Sequence, residues 1–269
     1  MPVDLAARIL AHDAIAPNHF LMTLEAPRIA RAARPGQFVM LQVHEGRDPL
    51  LRRPMSVCRV PGGSRRRVAI LYKVVGEGTQ RLSRQRVGGR LATLGPLGNG
   101  FRLPAPRRGG TAAPALLVAG GVGIAIFPFL VDALRRRGVR PVLLYGARSA
   151  RDLVALQMFR SRGVVVRLAT EDGSRGTKGF VTALLEPLLR GSGPRPEIYA
   201  CGPTPMLRAV GALALETGAS CQLALESQMP CGIGVCLGCV VACPGDAAGP
   251  IYRRVCTEGP VFAAGEVRL

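Results

Sequence analysis

The chain contains no tryptophan, and aromatic side chains make up only 4% of its 269 residues. Base-stacking platforms for nucleic acid would therefore be few. Acidic residues are also scarce: 36 lysines and arginines against 17 aspartates and glutamates give a net charge of +19. The arginines stand in scattered groups, such as Arg65–Arg67 and Arg135–Arg137. An arginine-rich solvated surface explains this charge better than a nucleic-acid groove does.

We also expect no signal peptide and no uninterrupted membrane span. The N-terminal segment MPVDLAARILAHD carries acids and has no apolar core. The charge-free segment Gly109–Val131 is strongly apolar, but glycines and Pro128 interrupt it, whereas a spanning helix needs about 20 consecutive apolar residues. We interpret it as a buried strand over Ala115–Ala119, a glycine turn, and a helix beginning near Ile124.

The length and the 48% apolar content suit about two globular domains with a small appendage. The first hundred residues contain β-branched runs such as Phe38–Val43 and Val68–Val75, bounded by glycine or proline. The segment Gly95–Pro106 is dense in glycine and proline, which predicts a domain boundary within Leu103–Gly110.

From residue 115 onward, predicted strands and helices alternate, which is typical of a parallel sheet covered by helices on both faces. The predicted strands are 115–119, 141–145, 164–169 and 197–200, and the predicted helices are 124–137, 150–160, 181–189 and 203–217. A glycine-rich loop follows the strand that ends at Ala169. After Cys221 the alternation stops and a compact cysteine-rich segment begins.

Five of the eight cysteines lie in the last 39 residues. A disulfide scaffold would spread them along a shorter, secreted chain, so the cluster indicates a metal site in the reducing cytoplasm. Cys231, Cys236 and Cys239 follow C-x4-C-x2-C spacing, and Cys256 comes later, as in plant-type [2Fe–2S] sites. Nearby glycines allow backbone N–H groups to approach the sulfurs. Zinc is the weaker alternative.

The extra Cys243 leaves the fourth ligand open between itself and Cys256. Cys243 follows the loop so closely that the chain has little length to turn back, which favours Cys256.

Several short motifs are suited to phosphates and nucleotides. The arginine and serine of Arg53–Ser56 at a strand start, and the turn Gly76–Thr79, offer charge-assisted and backbone contacts to phosphate. Gly120–Gly123 after a buried strand, and Cys201–Met206 after another, lie where ligands bind open α/β sheets. Each motif alone is also compatible with an ordinary turn that binds nothing.

The order of these motifs resembles the ferredoxin–NADP reductase superfamily. The segments ESQMPCGIGVCLGCVVAC and YRRVCTEGPVF look like the iron–sulfur module of the electron transfer subunits of class 1B dihydroorotate dehydrogenase, and the resemblance covers essentially the whole chain. It implies a multidomain α+β protein with an antiparallel β-barrel that binds FAD (residues 1–104), an α/β parallel-sheet domain that binds NAD (105–222) and a [2Fe–2S] module (223–269).

The same resemblance implies roles for individual residues. The flavin is expected along Arg53, Pro54, Met55, Ser56, Leu71, Tyr72, Lys73, Gly78 and Thr79. The nicotinamide nucleotide is expected at Gly120, Gly121, Gly123, Cys201, Gly202 and Pro203, and the cluster at Cys231, Cys236, Cys239 and Cys256. Met55 replaces the more usual isoleucine or leucine. No residue of this chain is expected to carry out dihydroorotate chemistry.

The implied function is electron transfer from an FMN-containing dihydroorotate dehydrogenase catalytic subunit, through [2Fe–2S] and FAD, to NAD⁺. A heterotetramer with two copies of each subunit is expected, with no nucleic acid and no transmembrane segment. The alternatives are an NAD(P)H-dependent flavin and iron–sulfur reductase subunit serving ferredoxin or sulfur metabolism, and a basic zinc-containing nucleic-acid-binding protein. Arg148 and Ser149, after the second strand of the α/β domain, leave NAD and NADP undecided.

Overall fold

The computed structural model describes residues 1–43, 46, 48–61, 65–105, 114–246 and 249–269. Its N-terminal part is one antiparallel sheet in the order β4-β3-β6-β1-β2-β5. The strands are β1 (Val3–Ala16), β2 (His19–Glu25), β3 (Phe38–Leu41), β4 (Arg53–Ser56), β5 (Arg67–Lys73) and β6 (Arg90–Leu97). Two short helices, α1 (Pro27–Ala32) and α2 (Glu77–Ser83), lie between strands.

This sheet curls until its two ends nearly meet. Beyond β4, the Cys58 N–H donates to the Ala69 carbonyl on β5 at 2.9 Å, and Arg59 forms an isolated bridge with Ala69. The inward-facing side chains, including Ile9, Met22 and Ile70, are fully buried. The predicted antiparallel barrel is therefore confirmed.

A seven-stranded sheet in the order β10-β9-β8-β7-β11-β12-β15 forms the second half. Its strands are β7 (Ala115–Gly120), β8 (Pro141–Ala147), β9 (Val165–Thr170), β10 (Thr177–Lys178), β11 (Glu197–Cys201), β12 (Ser220–Ala224) and β15 (Val261–Ala263). All neighbours are parallel except β12 and β15. Every residue of β7 is buried, as expected for a central strand covered on both faces.

The helices of this half are α3 (Phe127–Arg135), α4 (Gln157–Arg160), α5 (Thr182–Arg190) and α6 (Thr204–Thr217). The predicted helix 124–137 is a 3₁₀ segment, Gly121–Ile126, followed by α3. The predicted continuous helix 150–160 is wrong. It is a 3₁₀ turn, Ala150–Asp152, separated from α4 by a non-helical segment in which Ala155 has a φ of +56°. There the Tyr145 hydroxyl donates to the Asp152 carbonyl at 3.1 Å and accepts from the Val154 N–H at 3.3 Å.

The cysteine-rich segment contains the hairpin β13 (Val240–Asp246) and β14 (Gly249–Arg254), and it ends in a 3₁₀ turn, Ala264–Glu266. Between them, β15 pairs antiparallel with β12, so the C-terminal segment completes the edge of the parallel sheet. The predicted boundary after residue 222 falls inside β12. Both predicted boundaries stay predictions, and residues 106–110 of the predicted linker lie outside the described residues.

One hydrophobic cluster joins all three parts. It contains Met40 from the barrel, Val118 from the parallel sheet, and Val255 from the cysteine-rich segment. Asn99, just after β6, adds polar links: its side-chain amide donates to the Glu258 carbonyl at 2.8 Å, and its N–H to the Gly259 carbonyl at 2.5 Å. Among the described residues, no helix is both long and apolar enough to cross a membrane.

Candidate functional site

A cavity of about 510 Å³ lies at the carboxyl ends of the parallel strands, against the barrel. Its walls come from the segments that follow β7, β8, β9 and β11, and the barrel contributes His19 and Lys73. Parallel α/β sheets bind ligands at this edge. Of the predicted nucleotide residues, the cavity lining includes Gly120, Gly121 and Pro203.

The other predicted nucleotide residues lie behind the cavity wall. A Cβ added at Gly123 would lie 2.4 Å from the Cys201 carbonyl oxygen, and one at Gly120 would lie 2.5 Å from the Met206 sulfur. A Cβ added at Gly202 would lie 3.0 Å from the Gly120 backbone and 2.7 Å from the Met206 methyl group. These glycines therefore let the loops after β7 and β11 touch. Gly121 differs, because its φ is +52° and nothing lies near its Cβ position, so its backbone stays open to a ligand.

Cys201 is a buried thiol at the end of β11. Burial, and then the negative charge of Glu226, raise the pKa of Cys201 well above its usual value. Glu226 follows β12 and has exposed surface, yet desolvation by the surrounding protein raises its own pKa. Sequence reasoning missed Glu226, and its only signal is an acid between a strand end and the cysteine loop.

Two predicted flavin motifs, far apart in sequence, meet at one point. Arg53 on β4 lies against Gly78, where a Cβ would come within 2.2 Å of the Arg53 Nε. The Arg53 guanidinium also donates to the Leu51 carbonyl. Only glycine at position 78 lets this arginine lie across the start of α2, where the first-turn N–H groups have no intrahelical acceptor. Arginine and free N–H groups together suit a phosphate.

Thr79 shapes this turn rather than offering a free hydroxyl. Its Oγ1 accepts from the N–H groups of Val75 at 2.9 Å and Gly76 at 3.1 Å, and donates to the Gly76 carbonyl at 2.9 Å. The side chain is only 8% exposed. These bonds fix the Gly76–Gly78 backbone beside Arg53.

The three predicted residues of β5 divide between packing and the cavity. Leu71 and Tyr72 are buried, whereas Lys73 lines the cavity. The Tyr72 hydroxyl lies 2.8 Å from His12 Nε2, and His12 Nδ1 lies 2.9 Å from the Gln85 carbonyl, so Nδ1 donates and Nε2 accepts. Burial raises the pKa of Tyr72 and keeps it protonated.

The four predicted cluster cysteines form two interacting pairs. The Cys231 thiol interacts with Cys236, and the Cys256 thiol with Cys239. Within the described residues, no three metal-ligating side chains converge on a single ion. A two-iron cluster takes four thiolates, two on each iron, so two such pairs fit the predicted cluster.

Backbone N–H groups surround these sulfurs. Those of Ile233 and Gly238 approach the sulfurs of Cys231 and Cys236 at 3.5 and 3.4 Å, and the Cys256 N–H approaches the Cys239 sulfur at 3.4 Å. Burial raises the pKa of Cys231, but hydrogen bonds led by the Ile233 N–H outweigh it and lower that pKa to about 6. This environment stabilises negative charge on the Cys231 sulfur, as a thiolate-held cluster requires. Burial instead raises the pKa of Cys256, to about 11.

The structure places Cys256, and not Cys243, beside Cys239. Cys243 is buried on β13 with its sulfur 3.8 Å from the Val241 carbonyl. Arg254, which sequence reasoning missed, braces the loop from β14. Its Nη1 donates to the Gly234 carbonyl at 3.3 Å, and its Nε pairs with Glu258 at 3.1 Å.

Comparisons with known proteins agree with this architecture. The family model for the iron–sulfur cluster binding domain of dihydroorotate dehydrogenase B matches residues 226–268, and that for an oxidoreductase NAD-binding domain matches residues 117–211. The chain is 39% identical to the electron transfer subunit of dihydroorotate dehydrogenase B (NAD(+)) from Desulforamulus reducens, over 97% of both chains. The subunit of that name from Geobacillus thermodenitrificans is 38% identical over 97% of both.

Solved structures give the same picture. The structure of an NADH-dependent reduced ferredoxin-NADP oxidoreductase, described for flavin-based electron bifurcation, superposes with a TM-score of 0.84 at 30% identity, covering 98% of this chain and 90% of that chain. A ferredoxin NADP⁺ reductase from Neisseria gonorrhoeae shares the fold alone, with a TM-score of 0.65 at 17% identity, covering 80% of this chain and 92% of that one.

The barrel, the parallel sheet and the cysteine module together define an oxidoreductase of the ferredoxin-reductase type that carries an iron–sulfur domain. Within that class, the chain belongs to the family of electron transfer subunits of NAD-dependent dihydroorotate dehydrogenase B. The predicted family and enzyme class are confirmed, and the chain stands among oxidoreductases rather than zinc-containing nucleic-acid-binding proteins. The predicted site residues stay predictions.

Proposed function

We propose that the chain carries electrons between NAD(H) in the cavity and a partner catalytic subunit, with FAD on the barrel and a [2Fe–2S] cluster on the cysteine loop. A flavin exchanges two electrons with a nicotinamide and single electrons with a cluster. Arg53 and Gly78 hold flavin phosphate, and Gly121 offers its backbone to the dinucleotide. Cys231, Cys236, Cys239 and Cys256 hold the cluster.

One observation carries this proposal: the three sites adjoin through the barrel edge. In the antiparallel pair β3–β4, Met40 lies opposite Pro54, beside Arg53. A Cβ at Gly232 of the cysteine loop would lie 2.6 Å from Met40. The barrel also lines the nucleotide cavity through Lys73. The residues proposed for the three sites therefore adjoin one another along the barrel.

Cofactor content tests the ligand assignment. Cys236→Ser is expected to abolish cluster absorbance while most of the flavin stays bound, because the flavin motifs lie on the barrel. Cys243→Ser is the matched control and is expected to keep iron, sulfide and flavin. Normal iron and sulfide in Cys236→Ser, or loss of cluster from Cys243→Ser, would contradict the assignment.

We also propose that the FMN-containing dihydroorotate dehydrogenase catalytic subunit docks on the cysteine loop, in an assembly of two copies of each chain. Ile233, Val235 and Leu237 on this loop are 50%, 76% and 60% exposed. Ile251 and Tyr252 extend the apolar surface onto the hairpin. Exposed apolar side chains in one place are typical of an interface, and this one lies directly over the cluster cysteines.

The same face carries positive charge. A second cavity, of about 770 Å³, is lined by Arg31, Arg34 and Arg65 together with Cys256 and Ile233, and its described lining contains no carboxylate. The partner surface is therefore expected to be acidic around an apolar centre. A cytoplasmic setting, in which this partner would be met, stays a prediction.

A co-purification experiment tests this face. Leu237→Asp is expected to abolish capture of the catalytic subunit from native extract. Val87→Asp, which changes a residue of similar exposure (61%) on the barrel, is expected to leave it intact. The captured assembly should oxidise dihydroorotate with NAD⁺, whereas the isolated chain should only oxidise NADH with artificial acceptors. Capture by Leu237→Asp at the wild-type level would refute the docking face.

The second candidate function is a reductase subunit serving ferredoxin, which the 30% identical ferredoxin-NADP oxidoreductase structure favours. The same pull-down distinguishes the two functions. An FMN subunit with dihydroorotate activity supports the first, and a ferredoxin-dependent partner supports the second.

A further inference from the structure

We propose that Glu171 makes the cavity selective for NAD(H) over NADP(H), because its negative charge lies beside Arg148, where a 2′-phosphate would otherwise bind. This inference rests on the proposed function, in which the cavity receives the nicotinamide dinucleotide. It settles the choice that Arg148 and Ser149 leave open in the sequence.

The sheet register brings the two residues together. In the parallel pair β8–β9, Ala147 lies opposite Thr170. Arg148 and Glu171 are the next residue of each strand, and the ladder continues past them: the Glu171 N–H donates to the Ala147 carbonyl at 3.1 Å, and the Asp172 N–H to the Arg148 carbonyl at 3.2 Å. Both Arg148 and Glu171 line the cavity.

Hydrogen bonds hold these two loops in place and occupy the neighbouring carboxylates. The Ala150 N–H donates to Ser174 Oγ at 2.8 Å, which ties the loop after β8 to the loop after β9. Asp172 accepts from Ser174 N and Oγ at 2.9 and 2.6 Å. Asp152 accepts from Ser149 Oγ at 3.0 Å. The charged groups of Arg148 and Glu171, by contrast, make no hydrogen bond or ion pair within the described residues, so both are available to a ligand.

The position fits the adenosine end of a dinucleotide. The barrel end of the cavity, at Lys73, is where the nicotinamide must meet the flavin, and β9 lies two strands away from β7 on the far side of β8. Phe180, which lines the same far end, is 68% exposed and offers its ring to a purine.

The chemistry of the pair determines the selectivity. An arginine after the second strand accommodates a 2′-phosphate, whereas a carboxylate hydrogen-bonds the ribose 2′-hydroxyl of NAD. In this chain an arginine and a carboxylate, Arg148 and Glu171, occupy adjacent positions of the β8–β9 pair. A free carboxylate accepts from a hydroxyl but repels a phosphate, so it acts against the wrong ligand as well as for the right one. Arg148 alone would favour NADP(H), and Glu171 reverses that preference.

Three proteins test this: wild type, Glu171→Gln and the double variant Glu171→Gln/Arg148→Ala. The measurement is the Kd of NADH and of NADPH, obtained by titrating the holoprotein. Glu171→Gln is expected to bind NADPH on the order of tenfold or more tightly than wild type does, because a like charge beside the phosphate is gone. The added Arg148→Ala should cancel that gain. Glu186→Gln, which changes an exposed carboxylate on α5, is the charge-matched control.

The outcomes distinguish the roles of Glu171 and Arg148 from nucleotide binding itself. If Glu171→Gln binds NADH but keeps the wild-type ratio of NADH to NADPH affinity, the selectivity role of Glu171 is refuted. If the double variant keeps the gain, the role of Arg148 is refuted. If the wild-type holoprotein binds neither nucleotide, the proposed function itself fails.

Discussion

Gly123 offers a sharp test of how the nucleotide cavity is built, because its Cβ position is occupied by backbone. A Cβ there would lie 2.4 Å from the Cys201 carbonyl oxygen and 2.8 Å from the Gly202 nitrogen. A flexible side chain could move aside, but here both neighbours belong to the end of β11. Gly123→Ala must therefore separate the loop after β7 from the loop after β11.

The expected cost follows from this clash. Overpacking of a well-packed interior costs about 1–3 kcal/mol. At about 2–4 °C per kcal/mol for a chain near this size, Tm should fall by about 2–12 °C. Affinity for NADH should fall as well, because the displaced loop carries Gly120 and Gly121 of the cavity wall.

The assay compares Gly123→Ala with Gly193→Ala by thermal unfolding of the holoprotein and by NADH titration. Gly193 has an ordinary φ and nothing within 4 Å of its Cβ position, so its replacement should be nearly neutral. If Gly123→Ala keeps both the Tm and the NADH affinity of the control, the close contact between the two loops is not needed, and this account of the cavity is refuted.

Two further predictions concern the flavin loop and the buried acids. Thr79→Val removes the acceptor of the Val75 and Gly76 N–H groups, which belong to exposed residues, so the loss is about 0.5–1.5 kcal/mol for each hydrogen bond. The loosened turn should lose FAD on gel filtration, whereas the exposed control Thr177→Val should retain it; equal FAD content would contradict this. Burial raises the pKa of Cys58 from 9.0 to about 12 and that of Tyr145 to about 12. The unfolded chain therefore releases these protons first, so urea stability should decline as pH rises from about 9 to 12, and Cys58→Ala should reduce that decline; an unchanged pH slope would contradict it.

Sequence patterns predicted the fold correctly where a buried element is an unbroken run of apolar residues. The uncharged run through Ala115–Gly120 could only be a strand covered on both faces, and the glycines after it required a tight turn. The C-x4-C-x2-C spacing similarly predicts a cluster loop, because its three cysteines lie close together in the sequence. Both features are local, so neighbouring residues suffice to reveal them.

Sequence patterns did not predict the contacts between segments that are far apart in the chain. The Tyr145 hydroxyl replaces helical bonds in the predicted helix 150–160, and no local pattern reports a tether of that kind. Arg148 and Glu171 become neighbours only through the β8–β9 register. Strand β15 has only three residues, too few to show an alternation of apolar and polar side chains. The sequence therefore does not predict its place in the sheet.

Strand β15 also protects the edge of the parallel sheet. Without β15, the N–H and C=O groups along one side of β12 would face outward as an open edge, which invites pairing with other chains. The residues that close this edge lie shortly after Cys256, the last of the predicted cluster cysteines. Removal of residues 260–269 would therefore leave the four predicted cluster cysteines in the chain but expose the edge of β12, which favours aggregation. The electron-carrying module thus also acts as the protective edge of its neighbour.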